Sequence, residues 1–154
     1  MALKPDRKIG IGSEISSFMN ETATRGIIVT HDTDTTGVGA AMDDANATVK
    51  VPTGTGDGVP AGLLLNDVVN LDLTRQHINW HKDEIQLGGK VTLLVDGWVV
   101  TDSIVSGQTP VAGSPAYYST SGELTVTGGY YQVGKFLSGA DSDGYAKVAI
   151  NIPL

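Results

Sequence analysis

The sequence contains no cysteine, and its basic residues are few. Without cysteine, neither a disulfide framework nor a cysteine-ligated zinc site can form. The 10 Lys and Arg residues are outnumbered by 17 Asp and Glu, which gives a formal net charge of −7. Nonspecific binding of nucleic acid requires a basic surface, so this charge argues against direct contact with nucleic acid.

Long apolar runs are missing as well. The first eight residues, MALKPDRK, lack the apolar core of a signal peptide. No run approaches the ~18 apolar residues that a membrane span requires. We therefore expect a soluble protein that carries no targeting signal of its own and does not bind membranes.

What is present favours β structure. Glycine is abundant, at 20 residues in a chain of 154, and Thr, Val and Asp are frequent. This composition is typical of many short strands joined by many turns. A chain of this length also suits one domain with a core, because such a domain buries roughly 68–70% of the surface of its unfolded chain.

Residues 90–101 are central to this interpretation. Two apolar, β-branched runs flank Asp96-Gly97, and Asp-Gly between such runs is a strong signal for a type I′ hairpin. The pattern predicts a hairpin in which Leu94 and Val99 meet on one face. Because both faces of this ribbon would be apolar, we expect it inside a barrel or sandwich.

The C-terminal segment alternates regularly. Period two predicts a strand over residues 145–152, ended by Pro153, with one face formed by Ala146, Val148, Ile150 and Ile152 and the other by Tyr145, Lys147, Ala149 and Asn151. Residues 130–137 supply a partner strand through the turn-rich loop 138–144. Further strands are predicted within residues 26–30, 47–51, 59–73 and 123–127. Residues 63–73 show period two, whereas residues 74–84 favour a helical turn or an excursion.

The first 24 residues are polar and irregular. They are interpreted either as a frayed terminus or as an arm that orders on a neighbouring subunit. The sequence as a whole predicts an all-β protein: a small β-barrel or β-sandwich with long loops. Residues 1–24 would form an extended N-terminal arm, and residues 25–154 a single β domain.

Possible chemical sites are weak. His77 and His81 have a metal-ligand spacing on a helix, with Asp83 and Glu84 nearby, but no third ligand is fixed. The residues from His31 to Asp34 offer a histidine beside carboxylates, without a recognisable nucleophile.

Two glycine-containing segments are also better explained as turns. Residues 141–144 resemble the start of a calcium loop but lack its closing Glu. Residues 54–58 have alternating glycines without a following helix, so they do not fit phosphate binding. The sequence predicts no catalytic residue, no metal site and no cofactor.

The C-terminal half resembles the head-decoration, or cement, proteins of tailed bacteriophages. The resemblance covers residues 88–154 and is carried by the order of five segments: GKVTL (89–93), DGWVVT (96–101), GQTPVAGSPAY (107–117), VGKFL (133–137) and DGYAKVAI (143–150). It implies a non-enzymatic virion protein on the outer capsid surface, assembled in the host cytoplasm. The implied partners are the major capsid protein and two further copies of the chain in a homotrimer.

The resemblance also implies roles for particular residues. An N-terminal arm would bind the capsid, with candidate residues Leu3, Lys4, Pro5, Arg7, Lys8, Ile9 and Ile11. Aromatic residues would contact other subunits, with candidates Trp80, Trp98, Tyr117, Tyr118, Tyr130 and Tyr131. We expect at least half of these aromatics to be ordinary core residues instead.

Three other functions stay open from the sequence. A tail, fibre or head-closure component would share the β composition but occur in few copies per particle. A carbohydrate-binding module would use exposed Trp80 and Trp98 as stacking platforms. A hydrolase would use His31, Asp32 or His81.

Overall fold

The computed structural model describes residues 8–9, 14–32, 48–54, 58–68, 84–85, 90–128 and 131–153. Within these ranges the chain forms thirteen β-strands and no helix, which confirms the all-β fold class. The strands are β1 (Lys8–Ile9), β2 (Glu14–Met19), β3 (Ile28–His31), β4 (Thr48–Lys50), β5 (Pro60–Leu64), β6 (Asp67–Val68), β7 (Glu84–Ile85), β8 (Lys90–Leu94), β9 (Asp96–Thr101), β10 (Pro115–Tyr118), β11 (Leu124–Thr125), β12 (Gln132–Phe136) and β13 (Ala146–Asn151). None of the described segments is a helix long and apolar enough to cross a membrane.

Five strands close into a barrel in the order β2-β4-β3-β5-β8. Strand β2 pairs with β8 antiparallel, from Glu14 opposite Leu94 to Phe18 opposite Lys90, and with β4 in parallel. Strand β5 then pairs with both β3 and β8. Residues 14–19, which the sequence interpretation assigned to the arm, therefore form a wall of the barrel.

A second sheet has the order β1-β9-β13-β12-β10-β11, and all its strand pairs are antiparallel. We call it the large sheet. The predicted strand at the C-terminus and its partner are β13 and β12, joined from Gly134 opposite Ile150 to Phe136 opposite Val148. The four residues predicted to share the inner face of β13 are buried: Ala146, Val148, Ile150 and Ile152. Strands β6 and β7 form a separate parallel pair.

The prediction of a hairpin at Asp96-Gly97 is wrong. Across residues 90–101, β8 pairs with β2 and β5 in the barrel, whereas β9 pairs with β13 and β1 in the large sheet. The chain bends at Val95, whose carbonyl accepts a hydrogen bond from the Ile152 N–H at 2.8 Å. Gly97 has a φ of 149°, and glycine within a strand often marks such a bend. Asp-Gly here lets one strand pass from the barrel into the large sheet.

Two cores follow from this arrangement. One fills the barrel and consists of barrel residues such as Val29, Leu64 and Leu93. The other lies between the barrel wall and the large sheet, where Leu63 of β5 and Leu94 of β8 join Phe136 and other residues of the large sheet. Leu63 and Leu65 lie in the core between the two sheets, whereas Leu64 lies in the barrel core, so the period of two predicted for residues 63–73 holds over residues 63–65.

A polar cluster connects three barrel strands at one end. The Asp32 carboxylate, after β3, accepts a hydrogen bond from the Asn20 amide at 2.6 Å and one from the Thr48 hydroxyl at 3.4 Å. Lys50 Nζ lies 3.7 Å from the second carboxylate oxygen. Because Asp32 is buried, these partners offset the cost of removing its charge from water. The carboxylate thus has a structural role at this end of the barrel.

Candidate functional site

The large sheet has one face on the core and one face turned away from it. On β9, β13 and β10, core side chains alternate with side chains that stay exposed or half-buried. On β12, Gly134 and Lys135 lie between the buried Val133 and Phe136. We call the set turned away from the core the outer face; it consists of Asp96, Trp98, Val100, Pro115, Tyr117, Gln132, Lys135, Lys147, Ala149 and Asn151. The outer face combines apolar side chains with two lysines, and it is the candidate site.

Strand register places part of the outer face in one row. Trp98 on β9 lies opposite Ala149 on β13, and Ala149 lies opposite Lys135 on β12. Lys135 in turn lies opposite Pro115 on β10. Because neighbouring strands are about 4.8 Å apart, the Cα atoms of Trp98 and Lys135 are separated by about 10 Å.

Lys147 lies over the indole ring of Trp98, with Nζ 4.0 Å from the ring centroid. The two residues are diagonal neighbours, since Lys147 is opposite Val100 and Trp98 is opposite Ala149. A cation at this distance is attracted by the ring face and fixes both side chains. This ring face is therefore covered, which counts against Trp98 as an open stacking platform for a sugar.

A groove of about 640 Å³ lies beside this pair. Its walls come from the end of β9, from β13 and from the 137–141 segment: Val100, Leu137, Ser138, Gly139, Ala140, Asp141, Tyr145 and Lys147. Leu137 is 38% exposed, so an apolar side chain meets solvent at the groove. The Leu137 N–H donates to the Lys147 carbonyl at 2.7 Å, which ties the segment to β13.

The 141–144 turn is held by local hydrogen bonds. Asp141 Oδ1 accepts from the backbone N–H of Asp143 at 3.0 Å and from that of Tyr145 at 2.8 Å. Gly144 has a φ of 86°, which glycine adopts without strain. These contacts explain the Asp-rich sequence as a turn. Among the residues described, no group of three or more His, Asp or Glu could hold a metal ion.

The candidate arm residues are only partly described. Lys8 and Ile9 form β1 at the edge of the large sheet, with Lys8 opposite Trp98 and Ile9 opposite Gly97. The remaining candidates fall outside the described ranges: Leu3, Lys4, Pro5, Arg7 and Ile11. The two described candidates, Lys8 and Ile9, thus pair with the strand that carries Trp98.

The candidate contact aromatics are divided among different environments. Trp98 and Tyr117 lie on the outer face, and Tyr131, just before β12, is 52% exposed. Tyr118 is fully buried, and its hydroxyl donates to the Gly58 carbonyl at 3.0 Å. It is therefore a core residue that joins β10 to the loop before β5. Trp80 and Tyr130 lie outside the described residues.

The possible catalytic residues are dispersed or outside the described chain. His31 is exposed at the end of β3, while the neighbouring Asp32 carboxylate is held by Asn20, Thr48 and Lys50. His77 and His81 fall outside the described residues, as does Asp83, whereas Glu84 belongs to β7.

The sequence interpretation did not identify the lysines of the outer face as site residues. A signal for one of them was present, because the alternation in residues 145–152 placed Lys147 and Ala149 together on the side away from the core. The position of Lys135 beside them depends on the register between β12 and β13. The sequence predicted that these two strands pair, but it did not predict their register.

Comparison with known proteins gives one family. Residues 6–151 match the family described as "Structural cement protein (E217 gp24/Pam3 gp6)". No curated protein matches the chain.

Proposed function

This chain belongs to the family of phage structural cement proteins, and on that premise we propose that it binds the outer surface of a phage capsid and joins neighbouring capsomers of the major capsid protein. Its role is structural: it stabilises the capsid. The observation that carries this function is the family match, which extends over residues 6–151 of the 154.

The charge of the chain supports a position outside the shell. With a net charge of −7, the protein would be repelled by packaged DNA on the inner surface. The outer surface imposes no such repulsion. Absence of cysteine also suits assembly in a reducing host cytoplasm, where disulfides do not persist.

The energetics of binding favour many weak contacts between copies of this protein and the capsomers. Each Å² of apolar surface buried against a capsomer contributes about 25 cal/mol, before the costs of association are subtracted. A molecule that contacts several capsomers at once gains from effective concentration. Repetition over the shell then resists the outward pressure of packaged DNA, even where each contact is modest.

We further propose that the protein acts as a homotrimer at positions of local three-fold symmetry. Of the aromatic candidates, Tyr131 suits a contact between subunits, because its side chain is 52% exposed. Trp98 and Tyr117 belong to the outer face and are not assigned to this contact. Trp80 and Tyr130 stay candidates from the sequence alone. Tyr118 is not suitable, since its ring is buried within the subunit.

No enzymatic activity and no cofactor belong to this proposal. The carboxylate of Asp32, a candidate for a hydrolase, is engaged by Asn20 and Lys50 in the barrel. A glycan-binding role that uses Trp98 as a stacking platform is poorly supported, because Lys147 lies over the Trp98 ring.

The proposal is tested by sedimenting the protein with expanded empty shells of the cognate major capsid protein. We expect saturation at hundreds of copies per shell, since decoration repeats over the surface. A variant without residues 1–11 is expected to bind more weakly, because it loses the arm and β1. Equal affinity of the two proteins would exclude the arm as a capsid contact, and saturation at a few copies would favour a tail or head-closure component.

A further inference from the structure

The outer face has a charge opposite to that of the whole protein. The chain contains only ten basic residues, yet Lys135 and Lys147 both lie on this face, on the paired strands β12 and β13. The described acidic residues near them lie at its margins: Asp96 at the start of β9 and Asp141 in the loop that lines the groove. The centre of the outer face is therefore basic within an acidic protein.

Apolar surface surrounds these lysines. Trp98, Val100 and Ala149 are only half-buried although they lie on central strands. Leu137 adds a more exposed apolar side chain at the groove. Surface of this kind is stabilised when a partner covers it, because apolar area is then removed from water.

The groove offers a place for an anchoring side chain. Val100, Leu137 and Tyr145 give it apolar walls, and Lys147 forms part of its rim. The groove is open, so a side chain that lies against these walls loses contact with water only when the rest of the partner covers it. An aliphatic or aromatic anchor would contact the apolar walls, and a carboxylate beside it would lie near Lys147 at the rim.

The framework of this surface is already formed in the free subunit. Strand β13 is paired with β9 over six residue pairs, from Ala146–Thr101 to Asn151–Asp96, and with β12 on its other side. The Trp98–Lys147 contact further restricts two of its side chains. Binding to a preformed surface avoids much of the entropy cost of ordering.

We propose that the outer face binds an acidic, apolar segment on the outer surface of the major capsid protein. An apolar side chain of that segment enters the groove, and its carboxylates face Lys135 and Lys147. The two lysines at the centre of this face, in a protein with a net charge of −7, are the observation that favours an acidic occupant. The inference rests on the proposed function above, and it adds which surface makes the contact and which chemistry the capsid presents.

The charge component is tested with K135E, and K90E is its matched control. Both lysines are exposed strand residues, and both variants change the net charge equally, but Lys90 lies on β8 of the barrel. In sedimentation with expanded empty shells, we expect K135E to bind at least about tenfold more weakly than the unmodified protein. K90E is expected to bind within about twofold of it. The affinity of the unmodified protein is expected to fall with added salt, and that of K135E to fall less.

The apolar component is tested with L137S, and V59S is its control. Leu137 is 38% exposed at the groove, and Val59 is 56% exposed before β5 of the barrel. Since both side chains already meet solvent, both variants are expected to fold like the parent, which circular dichroism checks. L137S is expected to weaken shell binding about tenfold, and V59S is expected to leave it unchanged.

The outcomes separate this inference from the proposed function. If the unmodified protein binds shells and K135E and L137S bind as well as their controls, the outer face is not the contact and the inference fails alone. If the unmodified protein does not bind shells, the proposed function fails, and the inference that rests on it fails as well. If the outer-face variants instead change the solution mass of the free protein by light scattering, the face joins copies of this chain and the capsid segment is the wrong occupant.

Discussion

Replacing Gly134 by Ala is expected to lower the free energy of unfolding by about 3 kcal/mol or more, the upper part of the range for an overpacked core. Gly134 lies on β12 opposite Ile150 of β13. A Cβ atom at this position would overlap the Ala149 carbonyl oxygen and would lie 2.9 Å from the carbonyl carbon. These are backbone atoms of the paired strand, so relief requires β12 and β13 to separate.

The measurement for G134A is denaturant unfolding followed by circular dichroism, with G128A as the control. A Cβ at Gly128 would meet the Tyr117 ring at 3.7 Å, which is ordinary van der Waals contact. G128A is therefore expected to change stability by less than about 1 kcal/mol. A G134A protein as stable as G128A would show that the close approach of β12 to β13 is absent in solution.

Phe136→Ala is expected to cost about 3–5 kcal/mol, as for other fully buried aromatic side chains. Phe136 is fully buried and belongs to the core between the barrel and the large sheet. Ile28, Leu63 and Leu94 of the barrel belong to the same core. Loss of the ring therefore removes support from both sheets, and we expect them to unfold in one transition.

Native-state hydrogen exchange tests this coupling. In F136A, amides of β3 and β5 in the barrel are expected to lose as much protection as amides of β13, because global unfolding limits exchange in all three. A loss of amide protection confined to the large sheet would show that the barrel is a separate folding unit. L137S is the surface control, and its unfolding midpoint is expected to stay near that of the parent.

The sequence predicted β-strands correctly where a single local pattern, such as alternation, determines the structure. Residues 145–152 alternate cleanly, and the four residues assigned to their core face are buried. The family was also predicted, from the order of segments in residues 88–154, and the match over residues 6–151 confirms it and extends it into the N-terminal half. In each case the signal lay in consecutive residues or in their order along the chain.

The failures involve pairing between distant segments. Asp96-Gly97 has the local chemistry of a hairpin turn, but β8 and β9 pair with other strands instead, β8 with β2 and β9 with β13. Nothing local distinguishes a turn from a bend at a sheet corner when both need glycine. The expectation that both faces of this segment are buried holds for Leu94 and Val99. It fails for Trp98 and Val100, which are half-buried on the outer face, because β9 lies in a sheet with one face on the core.

The candidate site was predictable only in part. Trp98 was identified as a candidate contact residue, but its contact with Lys147 requires the register between β9 and β13. Tyr117 and Tyr118 have the same sequence signal, and only the direction of β10 places one outside and the other in the core. Composition identifies aromatic residues, whereas strand pairing decides which of them a partner can reach.

The most direct test of capsid stabilisation is the temperature at which cognate capsids that lack this protein break open, measured by light scattering with and without saturating protein. We expect added protein to raise that temperature, because ligands that bind only the intact shell stabilise it by mass action. The increase should grow with occupancy and stop at saturation. Capsids that bind the protein fully but open at the same temperature would contradict the account.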